Sequence, residues 1–133
     1  MADMLQACED VMAWQRAEKK ANRSRRARCL ECVRAALGKQ GLTLPRRPWP
    51  DNTAIGCFEF LVQNPEKWGW KQIHSPLTVP CLVFFKNCGR LPDRRVAGHV
   101  AIYDPRTGRL YSNNNANWSQ YWADHIVGAF VPA

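Results

Sequence analysis

Apolar positions recur at helical spacing over 3–20, DMLQACEDVMAWQRAEKK, where Leu5, Cys8, Val11, Met12 and Trp14 share a face. Acids precede bases there, the order a helix dipole favours, and the stretch predicts an amphipathic helix within 1–22. Asn22 and Ser24 supply the break. A second stripe, Leu30, Val33 and Leu37 with the small Ala35 and Ala36, predicts a helix over about 28–39. Gly41 ends it and Pro45 bars its continuation. LPRRPWPDN at 44–52 is a proline-punctuated loop. TAIGCFEFLVQNPEKW reads as a short helix ending near Asn64-Pro65, with a strand as the other reading.

Further along the chain the pattern turns to β. KQIHS predicts a short strand, CLVFFK at 81–86 a buried one, HVAIYD and RLYSN an antiparallel pair, and HIVGAFV at 125–131 the last strand. Helices first and an antiparallel sheet afterwards predict one α+β domain over 1–133. The DPRTG loop has Asp at the turn start, Pro next and Gly where a positive φ is needed. Pairing Tyr103 with Arg109 across it sets His99 opposite Asn113, and a slip of one residue brings Ser112 or Asn114 there instead. Directly opposed side chains stand about 4.5–5.5 Å apart at Cβ. An asparagine so placed can accept the imidazole N–H and aim the other nitrogen outward, the orienter's part in a nucleophile–base–orienter set. The matching nucleophile belongs at a helix N-terminus, where a thiolate is favoured, and Cys29 heads the second helix behind a block of arginines.

Composition narrows the partners. In 133 residues, 19 Lys and Arg against 11 Asp and Glu give a net charge of +8, with cations crowded at 16–28 and 90–95. Such a balance favours an anionic partner: nucleic acid, a lipid headgroup or an anionic wall polymer. No apolar run is long enough to span a membrane, and no charged-then-apolar leader is visible. The six cysteines read mainly as small buried apolar residues in a reducing compartment, not as disulfides. Cys29 and Cys32 form a C-x-x-C, but four-ligand zinc needs a second knuckle, and C-x6-C at 81–88 has the wrong spacing. No metal or cofactor is therefore expected, and Cys32 reads as core.

The stretch CLECVRAALGKQGLTLP resembles the nucleophile helix of the CHAP and NlpC-type cell-wall peptidases, with Gly41, Leu42, Leu44 and Pro45 in step with Cys29. WGWKQI at 68–73 resembles the Gly-Trp strand of those domains, GHVAIYD their histidine strand and IVGAFVP their closing strand. The likeness runs over about 25–132. Two departures are Pro80-Cys81, where Gly-Asp is usual, and Arg28, where the NlpC-type branch has Asp. The resemblance implies a papain-like fold, N-terminal helices on a central antiparallel sheet, and a thiol amidohydrolase acting on peptidoglycan, as endopeptidase or N-acetylmuramoyl-L-alanine amidase. Cys29 would attack an amide carbonyl, His99 would carry the proton and Asn113 would orient the imidazole, with Asn115 and Asn117 in reserve for that third place.

Trp68, Trp70, Trp118 and Trp122 either line a groove for glycan or peptide or belong to the core, and Asn117-Trp118 resembles a pair found late in CHAP sequences. Delivery to the wall or periplasm would be as a phage lysin, a virion part or a secreted effector made in the host cytoplasm. The alternatives are a small basic nucleic-acid-binding module built on the arginine clusters, and a catalytically inactive phage structural protein on the same fold.

Overall fold

The computed structural model describes residues 2–22, 28–48, 52–88 and 96–133. Helix α1 (Met4–Lys20) opens where the Asp3 carboxylate accepts from the Leu5 and Gln6 N–H groups, and closes on Lys19 and Lys20. Its buried stripe is Met4, Ala7, Cys8 and Val11, continued by the polar Glu18. Helix α2 (Cys29–Lys39) buries Cys32, Val33, Ala36 and Leu37, one face at i, i+1, i+4 and i+5. Gly41 follows it at φ +72°, and Leu42 N–H returns to the Leu37 carbonyl at 3.0 Å. That left-handed step is what glycine permits at a helix C-terminus. Helix α3 (Ala54–Gln63) is capped by the Thr53 hydroxyl accepting from Gly56 N–H, and it resolves the helix-or-strand ambiguity of this segment in favour of helix. A single 3₁₀ turn (Pro65–Trp68) leads into the sheet.

Six antiparallel strands follow: β1 (Trp70–Ile73), β2 (Cys81–Phe85), β3 (His99–Asp104), β4 (Arg109–Tyr111), β5 (Ala116–Asn117) and β6 (Ile126–Pro132), with helix α4 (Gln120–His125) just before the last. Their spatial order is β1-β6-β2-β3-β4-β5, so the chain is α+β with helices against an antiparallel sheet. Every residue of β2 is buried, as expected of a central strand covered on both faces. Trp70, Leu82, Phe84, Val100, Ile102 and Phe130 face the three long helices. Phe58 of α3 completes a ring cluster there with Phe84 and Phe130, at centroid distances of 5.5 and 6.3 Å. Cys81, Val83, Phe85, Ala101, Tyr103, Leu110 and Ala129 line the other face, against Trp118, Trp122 and Ile126.

The hairpin differs by one residue from the predicted register. Asp104 pairs with Arg109, Tyr103 with Leu110 and Ile102 with Tyr111. Asp104 stays in the ladder because its carboxylate caps the turn, accepting from Arg106 N–H at 3.0 Å and from the Arg106 guanidinium, while its carbonyl accepts from Gly108 N–H. Strand β4 also ends early, at Tyr111. Ser112 bends away, its hydroxyl donating to the Val100 carbonyl at 2.9 Å. Gln15 of α1 holds the bend: its amide donates to the Ser112 carbonyl and to Asn115 Oδ1.

Candidate active site

Helix α2 begins on Arg28, which makes no side-chain capping bond. Its first N–H groups lie beside the Cys29 sulfur. The backbone N–H groups of Val100, Leu30 and Cys29 itself all bond toward it. Burial outweighs these donors and pushes the thiol above its ordinary value. The Val100 contact fixes the geometry of the site. Beyond the end of β4, the edge of β3 presents the Val100 C=O to Ser112 and the Val100 N–H to Cys29. The sulfur thus lies against the peptide joining His99 to Val100.

Gly98 delivers His99 to that place. It turns at φ +72°, and a Cβ there would stand 2.9 Å from the Phe85 carbonyl and 3.1 Å from Ile55 Cβ. Ile55 N–H donates to the Ala97 carbonyl at 2.9 Å, tying the start of α3 to the same turn. Only glycine suits both the angle and the space. His99 then opens β3 opposite Phe85, with its ring 6.1 Å from Phe85 and 5.3 Å from Trp122. Burial among these rings lowers the imidazole to about 4. At neutral pH burial thus keeps the sulfur as thiol and the imidazole neutral.

Cys29 and His99 therefore lie at the same end of β3 but not on one face: the sulfur packs against the helix-side core, and the imidazole packs with Phe85 and Trp122 on the other side of the sheet. Asn113 is buried, with Oδ1 3.2 Å from Ser112 Oγ. Its predicted position directly across from His99 is corrected, because the register continues to Asn114 at that level and the ladder has already ended. Asn115 is held by Gln15. Asn117 pairs with Arg109, which pairs with Asp104, five residues along β3 from His99. At about 3.3 Å per residue Asp104 is already some 16 Å along the strand from His99, and Asn117 lies two strands further across, too far to orient the imidazole.

The tryptophans divide. Trp70 is wholly buried on the helix side, its indole N–H donating to the Thr43 carbonyl at 2.8 Å, so it is core and offers no face to a ligand. Trp68 packs against the same core under the Lys67 ammonium. Strand β1 next to it lies three strand spacings from β3, about 14 Å. Neither lines the site. Trp118 does reach it, stacked 4.7 Å from Tyr103 and 6.2 Å from Phe85, in one row with Trp122 and His99.

Among the described residues no three His, Cys, Asp or Glu side chains are gathered to hold a metal ion. No helix among them is long and apolar enough to cross a membrane. Of the arginine clusters, 23–27 and 90–95 lie outside the described residues. Arg28 is not a solvated face: its guanidinium bonds Glu18 at 2.6 Å and Glu31 at 2.5 Å and lies 5.0 Å from the Trp14 ring. It pins the head of α2 to α1.

Sequence reasoning missed Gln15 and Glu18 as anchors of the site. The signal was present: both fall on the stripe that runs 4, 8, 11, 15, 18, where a polar residue needs a partner. Cys32, by contrast, is wholly buried within α2, and burial pushes its thiol to about 12. Cys32→Ala should cost about 1 kcal/mol in urea denaturation through lost packing and leave the rate of Cys29 alkylation unchanged.

Comparison of the chain with models of known families, with curated proteins and with solved structures finds no match.

Proposed function

We propose that this chain is a papain-like thiol amidohydrolase that cleaves amide bonds of peptidoglycan, as an endopeptidase or an N-acetylmuramoyl-L-alanine amidase. The observation that carries the reading is the Cys29 sulfur, set at the head of α2 against the His99–Val100 peptide. In the reaction His99 takes the thiol proton as sulfur attacks the amide carbonyl, and the oxyanion is met by N–H groups at the start of α2. The imidazolium then protonates the departing amine and a thioester remains. Water, deprotonated by the same imidazole, hydrolyses the thioester, releasing the carboxylic acid and restoring the thiol. The net charge of +8 suits a polyanionic wall, and delivery would be as a phage lysin, a virion part or a secreted effector.

The test is mass spectrometry of muropeptides from purified sacculi incubated with the protein. Expected are fragments in which one amide has gained the elements of water, and their masses identify the bond cut. Sacculi left intact by folded protein, across the walls of several bacterial classes, would rule the hydrolase out.

A further inference from the structure

We propose that Gln15 and Glu18 of α1 are positioning residues that act as one bracket, fixing the head of α2 and the start of β3 so that the Cys29 sulfur is held between them. The catalytic meaning of the bracket rests on Cys29 being the nucleophile of the proposed hydrolase. The bracket itself is a matter of which groups bond to which.

Both sides of the sulfur need support. Helix α2 starts on Arg28 without a side-chain cap, and helix ends fray. Strand β3 has β2 along one edge, but on the other its ladder with β4 runs from Ile102 to Asp104 and stops short of Val100. A nucleophile useful in catalysis has to be held to about half an ångström. Neither a fraying turn nor a strand end does that alone.

Gln15 and Glu18 stand three residues apart on α1, a spacing that makes them neighbours on the helix surface. Gln15 is half-buried and Glu18 buried. The Glu18 carboxylate accepts from the Arg28 guanidinium at 2.6 Å, and the same guanidinium bonds Glu31 in the first turn of α2 and lies 5.0 Å from the Trp14 ring. The Arg28 carbonyl accepts from Cys32 N–H at 3.0 Å. Arg28 is thus tied to α1 by its side chain and to α2 by its backbone, and Cys29 is the next residue. The other arm starts at Gln15. Its amide donates to the Ser112 carbonyl and, at 2.7 Å, to Asn115 Oδ1. The Ser112 hydroxyl donates to the Val100 carbonyl at 2.9 Å, and the Val100 N–H bonds the sulfur. The two arms leave neighbouring points of α1 and end at the same residue.

Apolar side chains at 15 and 18 would dock α1 as Met4, Cys8 and Val11 do further up the stripe. Apolar contact is non-directional, so it would hold the helix down without fixing where α2 and β3 stand along it. Hydrogen bonds of set length and direction do fix that. In this reading the N-terminal helix belongs to the site, although none of its side chains touches the sulfur's own bonding groups directly.

The test compares full-length wild type, Gln15→Leu, Glu18→Gln and Cys32→Ala. Peptide mass spectrometry gives the iodoacetamide alkylation rate of Cys29, hydrogen exchange gives the opening of the Val100 amide, and urea denaturation gives stability. Burial outweighs the N–H donors at this sulfur, so a loosened bracket should release it. Both α1 variants should alkylate Cys29 about tenfold faster and exchange the Val100 amide about tenfold faster. Cys32→Ala is the control for stability lost through packing alone, and it should do neither. Should Glu18→Gln not fold, Glu18→Asp replaces it, keeping the charge but shortening the reach. Wild-type alkylation and exchange rates in the α1 variants overturn the bracket, and so does an equal rise in Cys32→Ala, which would mean general loosening. Muropeptide release by the α1 variants should fall about tenfold in kcat with KM unchanged. Wild type that releases no muropeptides overturns the hydrolase instead, and the bracket is then judged by the alkylation and exchange rates.

Discussion

Cys29→Ala should abolish release of muropeptides, and His99→Gln should lower it about a thousandfold or more, with the double variant no worse than Cys29→Ala alone. The non-additivity is the informative part. In the proposed reaction sulfur and imidazole act in one step, so once the nucleophile is gone the base has nothing to deprotonate. Both variants should keep the fold. Cys29 is partly buried at a helix terminus and its loss removes one sulfur from the edge of the helix-side core. The hydrophobic faces of α2 and the ladder of β3 are untouched. Muropeptide mass spectrometry and thermal unfolding measured side by side separate chemistry from stability. Activity surviving in Cys29→Ala but lost in Cys32→Ala would move the nucleophile one turn along α2 and dismantle the site as drawn.

What the sequence made legible follows from which interactions have a period. The stripes of α1 and α2 are visible because their buried positions recur on one helix face. The apolar run 81–85 is visible because β2 is covered on both sides. Cys29 at a helix head and His99 at a strand start were both readable, since each position is marked by neighbours in the chain. Contacts made by single side chains were not. The hairpin register turns on one carboxylate, Asp104, capping its own turn, and a residue that caps a turn from inside a strand looks like one that lies in the loop. The early end of β4 depends on Ser112 and on Gln15, almost a hundred positions away.

Trp70 and Trp122 show the same limit from the other direction. Both are tryptophans in short segments with little periodicity, yet one is sealed in the core with its N–H paired and the other lies on a histidine. Helix α4 and strand β5 have six and two residues, too few for any pattern to announce them. The polar residues on the α1 stripe are the one signal that could have pointed ahead, since buried Glu18 and part-buried Gln15 both require partners from elsewhere in the chain.

Acidification should weaken the fold over a window set by His99. Its folded value is about 4 against an ordinary 6.5, so between those limits the unfolded chain binds a proton that the native imidazole refuses. Stability then rises with pH wherever the unfolded state holds more protons. The native state is favoured fully above pH 6.5, loses stability as pH falls through the window, and loses no more to this group below pH 4, where both states are protonated. The whole effect is about 3 kcal/mol at most, a large share of the stability of a small domain. Asp104 titrates in a different range: bonding to Arg106 holds its carboxyl below the ordinary value, so its contribution disappears only under more acid conditions. Urea denaturation of wild type and His99→Gln from pH 4 to 8 isolates the term, because the other titrating groups are shared. The wild-type curve should slope upward through the window and the variant's should be flatter by the full His99 contribution. Parallel curves would mean that the imidazole is open to solvent, and that the Phe85–Trp122 face does not shield it.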